Sequence, residues 1–171
     1  MKIHSCKNLK TLPALLHRLP LLNKLEISWC PKLISLGTEE EMTVLPNLEY
    51  MKIHRCDDVE SLPAWLPSLP LLYKLEISRC PKLISWGTEK EMTTLPNLEY
   101  MKIDCCNALE TLPAWLPRLP LLNRLEISRC PKLISWGTDE EMTSLPNLQY
   151  MKINWCKDLK LCLLGCLIFL H

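Results

Sequence analysis

The chain repeats itself, and that fact limits its fold more than any other. Met-Lys-Ile occurs at Met1, Met51, Met101 and Met151, and the second and third 50-residue blocks differ at only 13 positions. Each block holds the pattern twice: cysteines fall at Cys6, Cys30, Cys56, Cys80, Cys106, Cys130 and Cys156, alternately 24 and 26 residues apart. The unit is therefore about 25 residues, used seven times. A piece that short cannot bury a core alone, so stacked copies must cover one another's apolar faces in a solenoid.

The skeleton of a unit reads Leu48-x-x-Met51-x-Ile53-x-x-Cys56-x-x-Val59-x-x-Leu62, or Leu72-x-x-Leu75-x-Ile77-x-x-Cys80-x-x-Leu83. Alternation through Met51 and Ile53 predicts a short strand with one buried face, and the spacing of three that follows predicts an irregular turning path. This skeleton resembles the leucine-rich repeat pattern. The expected fold is an α/β solenoid: seven units of 24 or 26 residues, a concave parallel sheet of short strands, and a convex side of irregular and short helical segments. On that convex side, Leu62-Pro63-Ala64-Trp65-Leu66-Pro67 is too proline-rich for α-helix and suits extended or single-turn structure. The pairs Thr38 with Glu41, Thr88 with Glu91 and Thr138 with Glu141 form capping boxes that predict short helices in the longer units. The repeat domain is expected over 1–160, followed by an apolar tail over 161–171 that is too short to span a bilayer.

Ten cysteines would suit disulfides in a small secreted protein. The start carries no apolar signal segment, and no Asn-x-Ser/Thr acceptor occurs, so a reduced cytoplasmic chain is expected. Seven of the cysteines are strung along the repeat axis instead of converging on one point, so no metal or other cofactor is expected. Each such thiol is expected to be buried, donating weakly to a carbonyl of the adjacent unit. Cys162 and Cys166 give only a weak metal signal. Trp65, Trp115, Trp86 and Trp136 are read as convex-side packing between units. No catalytic constellation is apparent: His4, His17, His54 and His171 are scattered, and four glycines supply no phosphate loop. The expectation is a protein that is not an enzyme.

Between the inward strand positions lies an alternating row, Lys2, Glu26, Lys52, Glu76, Lys102, Glu126 and Lys152, read mainly as a register-holding charge ladder. A second row reads Lys24, Tyr50, Lys74, Tyr100, Arg124 and Tyr150. A third, just before the cysteines, reads Ser5, Trp29, Arg55, Arg79, Cys105, Arg129 and Trp155. Tyr, Trp and Arg dominate protein–protein hot spots. The candidate partner-binding residues are therefore Trp29, Tyr50, His54, Arg55, Tyr73, Lys74, Arg79, Tyr100, Asp104, Arg124, Arg129, Tyr150 and Trp155. The outward positions hold ten positive and six negative charges in a chain of net charge +1, which favours a protein partner with an acidic patch. The six acidic groups argue against single-stranded nucleic acid, which basic residues interleaved with aromatics would otherwise suit. Five of the 13 block differences fall on this face (His54/Asp104, Arg55/Cys105, Tyr73/Asn123, Lys74/Arg124 and Glu99/Gln149), as a tunable recognition surface would show.

The phrases Leu-Pro-Asn-Leu-Glu-Tyr-Met-Lys-Ile, Leu-Glu-Ile-Ser-Arg-Cys-Pro-Lys-Leu and Leu-Pro-Ala-Trp-Leu resemble the irregular leucine-rich repeats of plant intracellular nucleotide-binding disease-resistance proteins. The resemblance covers residues 1 to about 160. It implies an array that senses pathogen effectors and restrains a nucleotide-binding domain. The implied partners are a pathogen effector, a guarded host protein or that domain, with no nucleic acid and no membrane span. Recognition positions vary within that family, so no role carries over to an individual residue here. The chain departs from the family in having no phosphate loop, in starting mid-unit, and in replacing the next Leu-Pro-Ala-Trp-Leu by Leu161–Leu170. Those departures point to a fragment or truncated copy. A freestanding repeat scaffold without an immune role, and a non-functional gene fragment, are the alternatives.

Overall fold

A computed structural model describes residues 1–12, 16, 19–37, 45–87, 95–136 and 145–159. Seven strands form one parallel sheet in chain order: β1 Lys2–His4, β2 Lys24–Ser28, β3 Tyr50–His54, β4 Lys74–Ser78, β5 Tyr100–Asp104, β6 Arg124–Ser128 and β7 Tyr150–Asn154. The register is unbroken. Leu25, Met51, Leu75, Met101, Leu125 and Met151 face one another across neighbouring strands, as do the isoleucines from Ile3 to Ile153. From β2 to β6 both ladders are fully buried, and with the cysteines and the leucines after them they make one continuous core. The expected solenoid, with one strand per unit, is what forms.

What ends each strand is a feature that alternation does not reveal. Ser5, Trp29, Arg55, Arg79, Cys105, Arg129 and Trp155 all have φ between 52° and 59°, the left-handed region that non-glycine residues rarely enter. The turn stays tied to the sheet, because amides in this row continue the ladder: Arg55 N donates to Ser78 O at 3.0 Å and Arg79 N to Asp104 O at 2.8 Å. The reversal also brings each ladder thiol back towards its own strand. From Cys6 to Cys156 every Sγ donates to the carbonyl two residues earlier, at 3.3–3.7 Å. The acceptor thus lies in the cysteine's own unit and not in the adjacent one, because the left-handed residue between them folds carbonyl and thiol together. Burial pushes the Cys56 and Cys80 thiols up to about 12, so they stay protonated and act as packing groups. The described cysteines are all free, and no cluster of three metal-ligating side chains occurs among the described residues.

On the convex side, Thr11, Ser61 and Thr111 bridge in parallel to Ser35, Ser85 and Ser135. The Pro-rich path closes into single 3₁₀ turns at Leu66–Ser68 and Leu116–Arg118, each with proline in the first turn, where its missing N–H costs nothing. Trp65, Trp86, Trp115 and Trp136 are buried. Trp86 meets Trp115 of the next unit edge-on at 5.9 Å and donates its indole N–H to Thr111 O at 2.9 Å, the inter-unit packing expected of it. Gly87, at φ +85°, lies so close to the preceding unit that a Cβ would meet Leu62 O at 2.7 Å. Asn47 and Asn97 reach back to Pro20 O and Pro70 O, each at 2.7 Å, clamping unit to unit. The capping boxes at Thr38, Thr88 and Thr138, and the tail with Cys162 and Cys166, lie outside the described residues.

Candidate functional site

The sheet face and its rim carry four parallel rows of side chains. The first is the Lys/Glu ladder, in register from Lys2–Glu26 to Glu126–Lys152. Each glutamate takes cations from its own strand or the one before: Glu26 pairs Lys24 at 2.9 Å and Lys2 at 3.2 Å, and Glu76 pairs Lys74 at 2.8 Å and Lys52 at 3.9 Å. The hydrogen bond from Lys24 is the largest cause holding the Glu26 carboxyl below its usual value. Solvent screens such pairs, which contribute about 0–1 kcal/mol each.

The second row is an alternating stack of cations and phenol rings. Lys24 lies over Tyr50 at 4.6 Å and Lys74 lies 5.4 Å from Tyr50 and 4.7 Å from Tyr100. Arg124 lies 5.6 Å from Tyr100 and 4.4 Å from Tyr150. Strands about 4.8 Å apart set this spacing. Arg124 also forks onto Glu126 Oε1 at 2.6 and 2.8 Å, which orients its plane. Burial and the Glu126 and Glu76 charges push the Tyr100 hydroxyl up to about 12, so the ring stays a neutral stacking surface.

A third row ends the strands: His4, Ser28, His54, Ser78, Asp104, Ser128 and Asn154. Here pairing depends on the block. His54 Nδ1 lies 2.8 Å from Ser78 Oγ, whereas Asp104, at the equivalent position, is buried and forked onto Arg129 at 2.6 and 2.9 Å. The order His–Ser–Asp across β3 to β5 places the carboxylate beyond the serine, where Arg129 engages it, so it does not orient the imidazole as a nucleophilic triad requires. Burial, then the charges of Lys52, Arg79 and Arg55, hold His54 below its ordinary value.

The fourth row is the left-handed one, at the rim. There Trp29, Arg55 and Arg79 border a groove of about 800 Å³ with Ser5 and Cys105, its other wall being Lys7, Asn8, Pro31, Lys32, Asp57, Pro81 and Asn107. The Arg55 guanidinium lies on the Trp29 indole at 3.9 Å. A smaller, polar recess of about 200 Å³ lies at the other end, between Lys102, Asp104, Glu126, Arg129, Lys152 and the exposed Trp155.

The predicted recognition residues thus fall into distinct groups. Tyr50, Lys74, Tyr100, Arg124 and Tyr150 form the stack; Trp29, Arg55 and Arg79 line the groove; Asp104, Arg129 and Trp155 border the recess. His54 sits between stack and groove, and Tyr73 projects alone at the strand entrances, 43% exposed. The sequence reading missed the groove's far wall, Lys7, Pro31, Lys32, Asp57 and Pro81. The available signal was their place one or two residues after each ladder cysteine, where they recur with the period of the strands.

A parallel sheet with one short strand per unit of 24 or 26 residues, apolar ladders inward and a thiol ladder at the turn, is the leucine-rich repeat fold. Among solved structures the chain is similar to the leucine-rich repeat domain of the type III effector XCV3220 (XopL), with a TM-score of 0.72 and 24% identity over 93% of this chain. It spans about half of that protein's chain, 53%. The likeness is one of fold. No family model matches the chain, and no curated protein matches it. Among the described residues no helix is long and apolar enough to cross a membrane.

Proposed function

We propose that the chain is a protein-recognition module acting through the concave sheet face and its rim, cytoplasmic, and that it serves as the effector-sensing or autoinhibitory repeat region of a plant intracellular immune receptor. The observation that carries the recognition reading is the seven-strand face, which presents tyrosine, tryptophan and arginine in fixed rows over an unbroken core. Such rows offer large, rigid contact area at low entropic cost. The immune assignment rests on the Leu-Pro-Asn-Leu and Leu-Glu-Ile-Ser-Arg-Cys phrases. A freestanding repeat scaffold remains the second reading, favoured by one observation: the same fold occurs in a type III effector.

Two measurements test this. A partner captured by the full chain should lose binding to a Tyr50→Ala, Tyr100→Ala, Arg124→Ala triple variant whose circular dichroism matches the parent; undiminished binding sinks the recognition face. Reading the transcript upstream of Met1 separates the two settings. An open frame into a phosphate loop supports the receptor, and a frame closed at Met1 leaves the scaffold.

A further inference from the structure

Resting on that recognition reading, we propose that the rim groove seats an extended acidic peptide segment of the partner, with carboxylates on Arg55 and Arg79 and an apolar side chain against Trp29. The groove runs from Ser5 to Cys105, four strand steps. At about 4.8 Å per step it is about 19 Å long, the reach of about six residues of extended chain. An extended segment of that size spans the whole groove, whereas a helix, rising about 1.5 Å per residue, would need about thirteen residues to do so.

The charge is one-sided. Lys7, Lys32, Arg55 and Arg79 face the groove against Asp57 alone. In the neighbouring block Arg129 spends its fork on Asp104, but the equivalent partner of Arg79 is His54, which offers it no carboxylate. The Arg55 guanidinium carbon lies over the Trp29 indole, 3.9 Å from the ring centroid. Among the described residues neither arginine forms an ion pair. The long side chains of Arg55 and Arg79, rooted one strand step apart, have the reach to take carboxylates from alternate residues of an extended chain, about 6.6 Å apart. The indole and the rings of Pro31 and Pro81 suit an apolar side chain beside them. A single-stranded nucleic acid would need successive aromatic platforms, and the groove has one.

The test is an array of immobilised hexapeptides carrying two Asp or Glu residues and one Leu, Phe or Trp in every order. Asn/Gln-substituted peptides serve as controls, and the array is probed with the full chain. Bound sequences are then measured in solution by fluorescence anisotropy. Acidic peptides should bind and their amide versions should not. Arg55→Gln with Arg79→Gln should weaken binding at least tenfold, either single substitution and Trp29→Ala should weaken it too, and Arg118→Gln, the same charge loss as one rim substitution but on the convex side, should leave it unchanged. The proposal is overturned if acidic and amide peptides bind alike, if Arg118→Gln weakens binding as much as the rim pair, or if labelled oligo(dT) binds as tightly. A dimer of the chain alone that Arg55→Gln with Arg79→Gln dissolves would put a second copy in the groove and equally overturn it. If the array fails while the Tyr50, Tyr100, Arg124 variant still loses a captured partner, the recognition face stands and only the groove falls.

Discussion

At the scale of single residues, the molecule places side chains in a backbone conformation that suits few of them. Among the described residues seven non-glycine positions adopt the left-handed conformation, Cys105 among them at φ 54°. A β-carbon there costs about 1–2 kcal/mol, and β-branching costs more. Thermal denaturation should therefore rank Cys105→Gly and Cys105→Asn at or above the parent, and Cys105→Val about 1–2 kcal/mol below it. The reverse order would deny the strain. His54 gives a second prediction. Its folded value lies below the ordinary 6.5, chiefly through burial, so just below pH 6.5 the unfolded chain binds more protons than the folded one. Stability then rises with pH through that window and falls on acidification. Between about pH 7.5 and about pH 5.5 the parent should lose more Tm than His54→Gln, and equal losses would show that the imidazole titrates freely.

At the scale of the repeat unit, function and packing divide the perimeter. The strand and its left-handed exit carry the exposed rows, while the return path carries what holds units at a fixed distance. Gly87 shows how tight that distance is. Leu62 O would stand 2.7 Å from a new Cβ, and φ +85° disfavours any side chain. Gly87→Ala should lower stability by about 1–3 kcal/mol by denaturant midpoint with no change in m, and a neutral result would mean that the two units can slide apart. The Trp86–Trp115 contact and the Asn97–Pro70 clamp act over the same joint. Units so coupled transmit position, which keeps Lys74 centred between Tyr50 and Tyr100.

At the scale of the whole molecule, stability is a sum over neighbours, since each unit meets only the units beside it. The same residue type in the same register should then matter differently by position. Met101 is fully buried between β4 and β6, and Met151, its equivalent on β7, is only half-buried. Met101→Ala should cost about 2–5 kcal/mol and Met151→Ala distinctly less, measured by chemical denaturation. Equal losses would argue that the array melts as one block. The unit-by-unit alternation of the two unit types has a further consequence at this scale. It interleaves lysine with glutamate and cation with tyrosine along the whole sheet, so no like charges meet across neighbouring strands in either row.

Period, strand position and register were legible in the residues, because a 24/26 alternation of cysteines admits one stacking and the apolar ladders fix which face is buried. From these followed the charge ladder, the cation–tyrosine row and the convex place of the four buried tryptophans. The left-handed exits were not legible: Arg, Trp, Ser and Cys stand where glycine or asparagine would have marked them, and only the packed sheet imposes the conformation. Nor were the fork from Arg129 to Asp104, the isolation of Arg79 and the groove, since each joins residues from different units through side-chain reach. Sequence periodicity determines which residues recur on one face. Whether neighbours on that face neutralise one another or stay open to a ligand depends on distances of a few ångströms, and tertiary structure alone sets those.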